Sequence, residues 1–147
     1  MNNNMGFFRR YDPSANKVVL GGLEITGYAE GTFIEIERDE DGFMTTVGSL
    51  GDVVRTRNLS RVVKCTLTLM AQAPANDLLN GIAQDDEDTG DNVKDFQMKD
   101  LNANVRVDGP EAWVMKLPKI ERAKEAGTIQ WVIVIANCEV IAGGNVV

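Results

Sequence analysis

Glu37, Asp39, Asp41 and Gly42 stand at the spacing of positions one, three, five and six of an EF-hand calcium loop. Position twelve of such a loop must supply a bidentate Glu, but here it is Gly48, and the flanks alternate like strands rather than helices. A second acidic run, Asp85, Asp86, Glu87 and Asp88, fails the same test, because Gly90 at position six puts Phe96 at position twelve. Both runs therefore read as solvated acidic segments, and no metal is expected. The 22 Asp and Glu residues offer many carboxylate pairs. Acid–base chemistry needs two of them in one cleft with separated pKa values, and the sequence shows no cleft. The chain has no histidine, which removes the commonest general base, the commonest transition-metal ligand and every Ser-His or Cys-His nucleophile. A Gly-rich phosphate loop and a nucleophile motif are missing too, so no catalytic residue, no cofactor and no enzyme activity are expected.

Two other groups carry reactive or charged chemistry. Cys65 falls on the apolar side of an alternating segment and reads as a small buried hydrophobe, and Cys138 follows a long apolar run. Two cysteines do not make a disulfide scaffold, and they lack metal-ligand spacing. A disulfide between them, or between subunits of a particle outside the cell, stays open. Arg55, Arg57 and Arg61 form a basic cluster whose alternating spacing places the first two on one side of a strand. A net charge of −7 argues against nucleic-acid phosphate as its target. Ion pairing with an acidic turn (Asp39, Glu40, Asp41) on a neighbouring subunit is the preferred reading, and an exposed charged edge that discourages aggregation is the bland one.

The elements that must position these residues are mostly strands. Residues 22–70 alternate almost throughout. Within them, residues 32–38 set Phe33, Glu35 and Glu37 against Ile34, Ile36 and Arg38. Residues 43–47 and 52–57 read as a projecting hairpin around the turn 48–51, half apolar and with little core of its own. Residues 61–70 put Val63, Cys65, Leu67 and Leu69 on an apolar face, with Lys64, Thr66 and Thr68 opposite. A helix opens at Pro74, where a missing N–H costs nothing, and shows a stripe of Leu78, Leu79, Ile82 and Ala83. The helix dipole disfavours acid at a C-terminus, so the helix is expected to stop before Asp85. Short strands follow at 96–99, 105–107 and 112–117, and a long apolar run at 128–141 reads as a strand covered on both faces.

These elements make one mainly β domain over residues 15–147, with eight or nine strands and one main helix, preceded by a flexible arm over residues 1–14. A hydrophobic fraction of 44% permits a full core, and no stretch has signal-peptide or transmembrane character.

Several segments together resemble one family: residues 25–43 (ITGYAEGTFIEIERDEDGF), 55–61 (RTRNLSR), 73–83 (APANDLLNGIA), 109–133, and Gly143-Gly144-Asn145. It is the tail tube proteins of contractile-tailed, myovirus-type bacteriophages, and the resemblance spans residues 11–145. The resemblance implies a β-barrel or sandwich with one flanking helix. It implies hexameric rings that stack into a hollow tube inside a contractile sheath. The implied partners are other copies of the chain, the sheath protein, baseplate and tail terminator proteins, and the tape-measure protein and DNA passing through the lumen. The implied location is the virion tail, assembled in the host bacterial cytoplasm, with no membrane insertion. Type VI secretion and tailocin tubes share this architecture.

On that frame Glu35, Glu37, Thr66 and Thr68 are expected to face the lumen, where acid lets DNA slide rather than bind. Lys64 on the same face is discordant. The hairpin with Arg55 and Arg57, together with Arg61 and the acidic turn, is expected to contact the next ring or subunit. Asp85, Asp86, Glu87 and Asp88 are expected to face the sheath. The rival from another class is a monomeric β-sandwich that binds a ligand, which calls for a concave aromatic site.

Overall fold

A computed structural model describes residues 6–145 of the chain. Asp12 caps a short 3-10 turn, Pro13–Ala15, by accepting hydrogen bonds from the Ser14 N–H and hydroxyl at 3.0 and 2.7 Å. The expected flexible arm at 1–14 falls partly outside the described residues, in 1–5. Its described part, residues 6–11, is exposed and has no regular secondary structure.

Ten strands and one α-helix follow: β1 Asn16–Leu20, β2 Leu23–Ile25, β3 Ile34–Arg38, β4 Phe43–Val47, β5 Val53–Arg57, β6 Val63–Met70, α1 Ala75–Thr89, β7 Lys94–Asp100, β8 Ala103–Val114, β9 Thr128–Ala136 and β10 Glu139–Asn145. Eight strands form one antiparallel sheet, ordered β2-β1-β7-β8-β9-β6-β3, with β10 also on β8. β4 and β5 form a separate two-stranded sheet. The expected mainly β architecture with one helix is therefore present.

Ten strands stand among the described residues where eight or nine were expected, and three of the differences have a clear physical cause. The first is β8, one strand of 12 residues where two short ones were expected. Pro110 lies inside it beside a register shift in the pairing with β7, where a missing N–H is tolerated. The second is the long apolar run, which divides at Asn137, a non-glycine residue at φ 46°. Its pairing register along β8 continues across the break, with Ala136 opposite Glu111 and Glu139 opposite Asp108. The same strand thus serves β6 with its first half and leaves that neighbour in its second. The third is α1, which runs through Asp85, Asp86, Glu87 and Asp88 instead of stopping before them. Its end is closed by Gly90 in the left-handed region, by Thr89 Oγ1 donating to the Asp85 carbonyl at 2.8 Å, and by the Asp86 carboxylate accepting from Asn92 N–H at 3.0 Å. These caps outweigh a dipole penalty of about 0.3–1 kcal/mol per acidic group.

One core unites the sheet. Val18, Ile25, Leu67, Leu69, Phe96, Trp131, Ile133 and Ile135 are buried in a single cluster with Leu79 and Ala83 of α1. Residues from both ends of the strand order share this cluster, so the sheet curls around it. Asn76, at the start of α1, fastens the helix to the sheet. Its Nδ2 donates to the Met70 and Ala71 carbonyls, and its Oδ1 accepts from Trp131 Nε1 at 2.9 Å.

Candidate functional site

The β4–β5 hairpin stands apart from the core, and every one of its ten strand residues is exposed. Its tip is closed by Gly48 N–H donating to the Asp52 carbonyl at 2.7 Å, with Gly51 at φ 92°. Its base is closed by Asn58 N–H donating to the Gly42 carbonyl at 2.8 Å and by Asn58 Nδ2 donating to Glu40 at 2.7 Å. The register puts Phe43 opposite Arg57, Thr45 opposite Arg55 and Val47 opposite Val53. One face therefore presents Phe43, Val47, Val53, Arg55 and Arg57, and the other presents Met44 and Val54. The Arg55 guanidinium lies 3.8 Å from the centre of the Phe43 ring, a cation–π contact that fixes its direction. Leu50 at the tip is 92% exposed. A two-stranded hairpin is marginal alone in water, and apolar side chains on both of its faces mark a surface built to be covered.

The expected arginine–acid set divides. Within the subunit, Asp39 pairs with Lys64 at 3.1 Å and Glu40 is engaged by Asn58. No ion pair among the described residues includes Arg55, Arg57 or Arg61. Arg61 is exposed just before β6, and its carbonyl accepts from Cys138 N–H.

The residues expected on the lumen side share one sheet face. Glu35 pairs across strands with Thr66 and Glu37 with Lys64, while Thr68 faces Gln130. This face lies opposite Cys65, Leu67 and Leu69, which are fully buried. Lys64, the discordant cation, carries the Asp39 carboxylate as its counter-charge. Across β9 and β8 the same face turns apolar through Val132, Val134 and Trp113. The run expected to be covered on both sides sends Trp131, Ile133 and Ile135 inward, and on the outer face Val134 is buried while Val132 is half-buried.

Asp85, Glu87 and Asp88 are exposed on the last turn of α1, and Asp86 is half-buried. Cys65 and Cys138 are both free thiols and both buried. Burial pushes the Cys65 thiol up to about 12, and burial also raises Cys138. Neither is a nucleophile at neutral pH. Among the described residues no group of three or more His, Cys, Asp or Glu is placed to hold a metal, and no helix is long and apolar enough to cross a membrane.

One group that matters was missed by sequence reasoning. Asn76 gave no local signal, because its partner Trp131 lies 55 residues away. The apolar content of the hairpin was noted, but its ionic content was given the weight.

No family model matches the chain. It is similar to structural protein ORF10 of Pseudomonas phage KPP10, 25% identical over 123 residues, which is 82% of this chain and 71% of the phage protein. Its fold is that of three solved components of contractile systems. Against the anti-feeding prophage cap, a tube-terminating cap, the TM-score is 0.58 at 12% identity, covering 96% of this chain and 97% of the cap. Against the sheath/tube terminator of an extracellular contractile injection system, it is 0.57 at 12% identity, covering 93% and 100%. Against the sheath–tube complex of such a system, it is 0.55 at 13% identity, covering 90% and 92%.

Proposed function

We propose that this chain is a structural component of a phage contractile tail, the ring-forming subunit of its inner tube, and that it performs no chemistry. The observation that carries the reading is the projecting hairpin, exposed and apolar on both faces, on a fold shared along nearly its whole length with parts of contractile systems. Hexameric rings would close through the free sheet edges of β2, β3 and β10, since open edges are a liability that closure removes. The hairpin would bury its apolar faces against the next ring. Arg55 and Arg57 would meet acid there, with Asp41 the carboxylate of the acidic turn left without a partner among the described residues. Glu35, Glu37, Thr66 and Thr68 would line the lumen, where negative charge lets DNA pass. Asp85, Glu87 and Asp88 would face the sheath. Baseplate, terminator and tape-measure proteins complete the implied set of partners, in the virion tail.

A second reading has its own support. Two of the solved structures it resembles are a cap and a terminator, which supports a ring that ends a tube. Electron microscopy of the purified protein separates the two. Tubes of constant width that lengthen with concentration support the tube subunit. Single rings that never stack support the terminator. A secretion-system or tailocin tube gives the same tubes, and is distinguished by the absence of a phage DNA cargo.

A further inference from the structure

The free edges of β3 and β10 border a cleft of about 460 Å³, within the range of roughly 300–1,000 Å³ typical of clefts that bury a ligand. Its wall is apolar, with Ile34 and Ile36 from β3, Met98 and Val107 from the sheet, and Val140 from β10. Ile34, Ile36 and Val140 pack on the core yet keep part of their surface open. Tyr11 stands at the rim, so the N-terminal arm leaves the domain beside this cleft. The arm carries two phenyl rings that nothing covers: Phe7 is 87% exposed and Phe8 82%. Each phenyl has on the order of 150–250 Å² to bury.

We propose that the cleft between β3 and β10 receives residues 6–11 of a second copy of this chain, with Phe7 and Phe8 as its apolar anchors. The inference rests on the self-assembly reading above and names one contact of it. Two observations select this occupant. The first is exposure: the arm begins at the rim of its own cleft, yet its rings stay in solvent, so it does not fill that cleft in the single chain. The second is charge. Residues 6–11 hold Arg9 and Arg10 and no acid, so a chain of net charge −7 carries −9 outside them. A cationic arm therefore meets an acidic body on any second copy. A six-residue extended segment spans about 20 Å, enough to lie along Ile34 and Ile36 in the cleft.

The test uses the full chain with Phe7, and in a second preparation Phe8, replaced by the photo-crosslinker p-benzoylphenylalanine. Each is mixed with heavy-isotope-labelled full chain, checked by sedimentation velocity, irradiated and mapped by mass spectrometry. The expected result is self-association with light–heavy adducts joining the arm to Ile34, Ile36 or Val140. Light–light adducts alone, or adducts elsewhere in samples that self-associate, overturn the arm contact and leave the assembly reading standing. A chain that stays monomeric at every concentration, with a matching baseplate present as a nucleus, overturns both. As a companion, Phe7→Ser with Phe8→Ser should keep the far-UV circular dichroism spectrum and raise the concentration at which assembly begins by about tenfold or more. An unchanged threshold counts against the anchors.

Discussion

Replacing Asn76 with Ala should destabilise the subunit without touching any exposed surface. The amide is 8% exposed and has three partners. Its orientation is fixed by chemistry, because the indole N–H of Trp131 can only donate and so must meet Oδ1. Trp131 is 2% exposed, so its N–H finds no water when Asn76 is truncated, and an unsatisfied buried donor costs about 1–3 kcal/mol. The Met70 carbonyl keeps the Ala73 N–H, and Ala71 is half-exposed, so the two lost acceptor bonds add only about 1 kcal/mol. The total is about 2–4 kcal/mol, which lowers Tm by roughly 4–16 °C in a chain of this size. Urea unfolding followed by circular dichroism measures it, at a concentration where the protein sediments as one species. Trp131→Phe completes a double-mutant cycle with an expected coupling of at least about 0.5 kcal/mol. A loss under about 0.5 kcal/mol for Asn76→Ala, or strict additivity in the cycle, refutes the claim that this contact fastens α1 to the sheet.

Three further outcomes follow from the same structure. Arg55→Glu combined with Arg57→Glu should leave the fold and Tm nearly unchanged, since both residues are exposed on the hairpin, yet block tube growth in electron micrographs; tubes of normal length would remove the arginines from the stacking contact. Gly109→Ala should cost about 1–3 kcal/mol, because its Cβ would stand 2.3 Å from Ile135 Cγ2 in a full core, and a variant as stable as the parent would show that β8 and β9 can part there. Stability should fall as pH rises above 9.0, because Cys65 holds its proton up to about 12 in the folded chain while the unfolded chain releases it from 9.0. The thiol's contribution is complete below 9.0, and within that window the loss approaches about 1.4 kcal/mol per pH unit. Burial raises Tyr28 as well, adding to the fall above 10.0. Denaturation series at several pH values should show a shallower slope for Cys65→Ala, and equal slopes would refute the assignment.

How far the sequence could be read depended on the range of the interaction that decided each element. The β4–β5 hairpin and β6 were legible because alternation and the glycines of the turn 48–51 act locally. The end of α1 was not, because local capping by Thr89, Gly90 and Asn92 overrode the dipole rule that placed the end before Asp85. β2 has only three residues and is held by its pairing with β1, so it gives no periodicity to detect. The continuity of β8 through Pro110 was not legible, because the register shift that accommodates it comes from the pairing with β7. The alternation of Glu35 and Glu37 with Ile34 and Ile36, and of Thr66 and Thr68 with Cys65 and Leu67, was legible because a strand period of two acts locally. The engagement of Asp39 by Lys64 and of Glu40 by Asn58 was invisible, because each joins residues that only the fold brings together.

The central claim is that this subunit exists to assemble. Negative-stain electron microscopy with sedimentation velocity on the purified chain, across a concentration series, addresses it most directly. The account predicts hollow rings or tubes of constant diameter above a threshold concentration. A compact monomer at every concentration, in the presence of a matching baseplate as a nucleus, would contradict it.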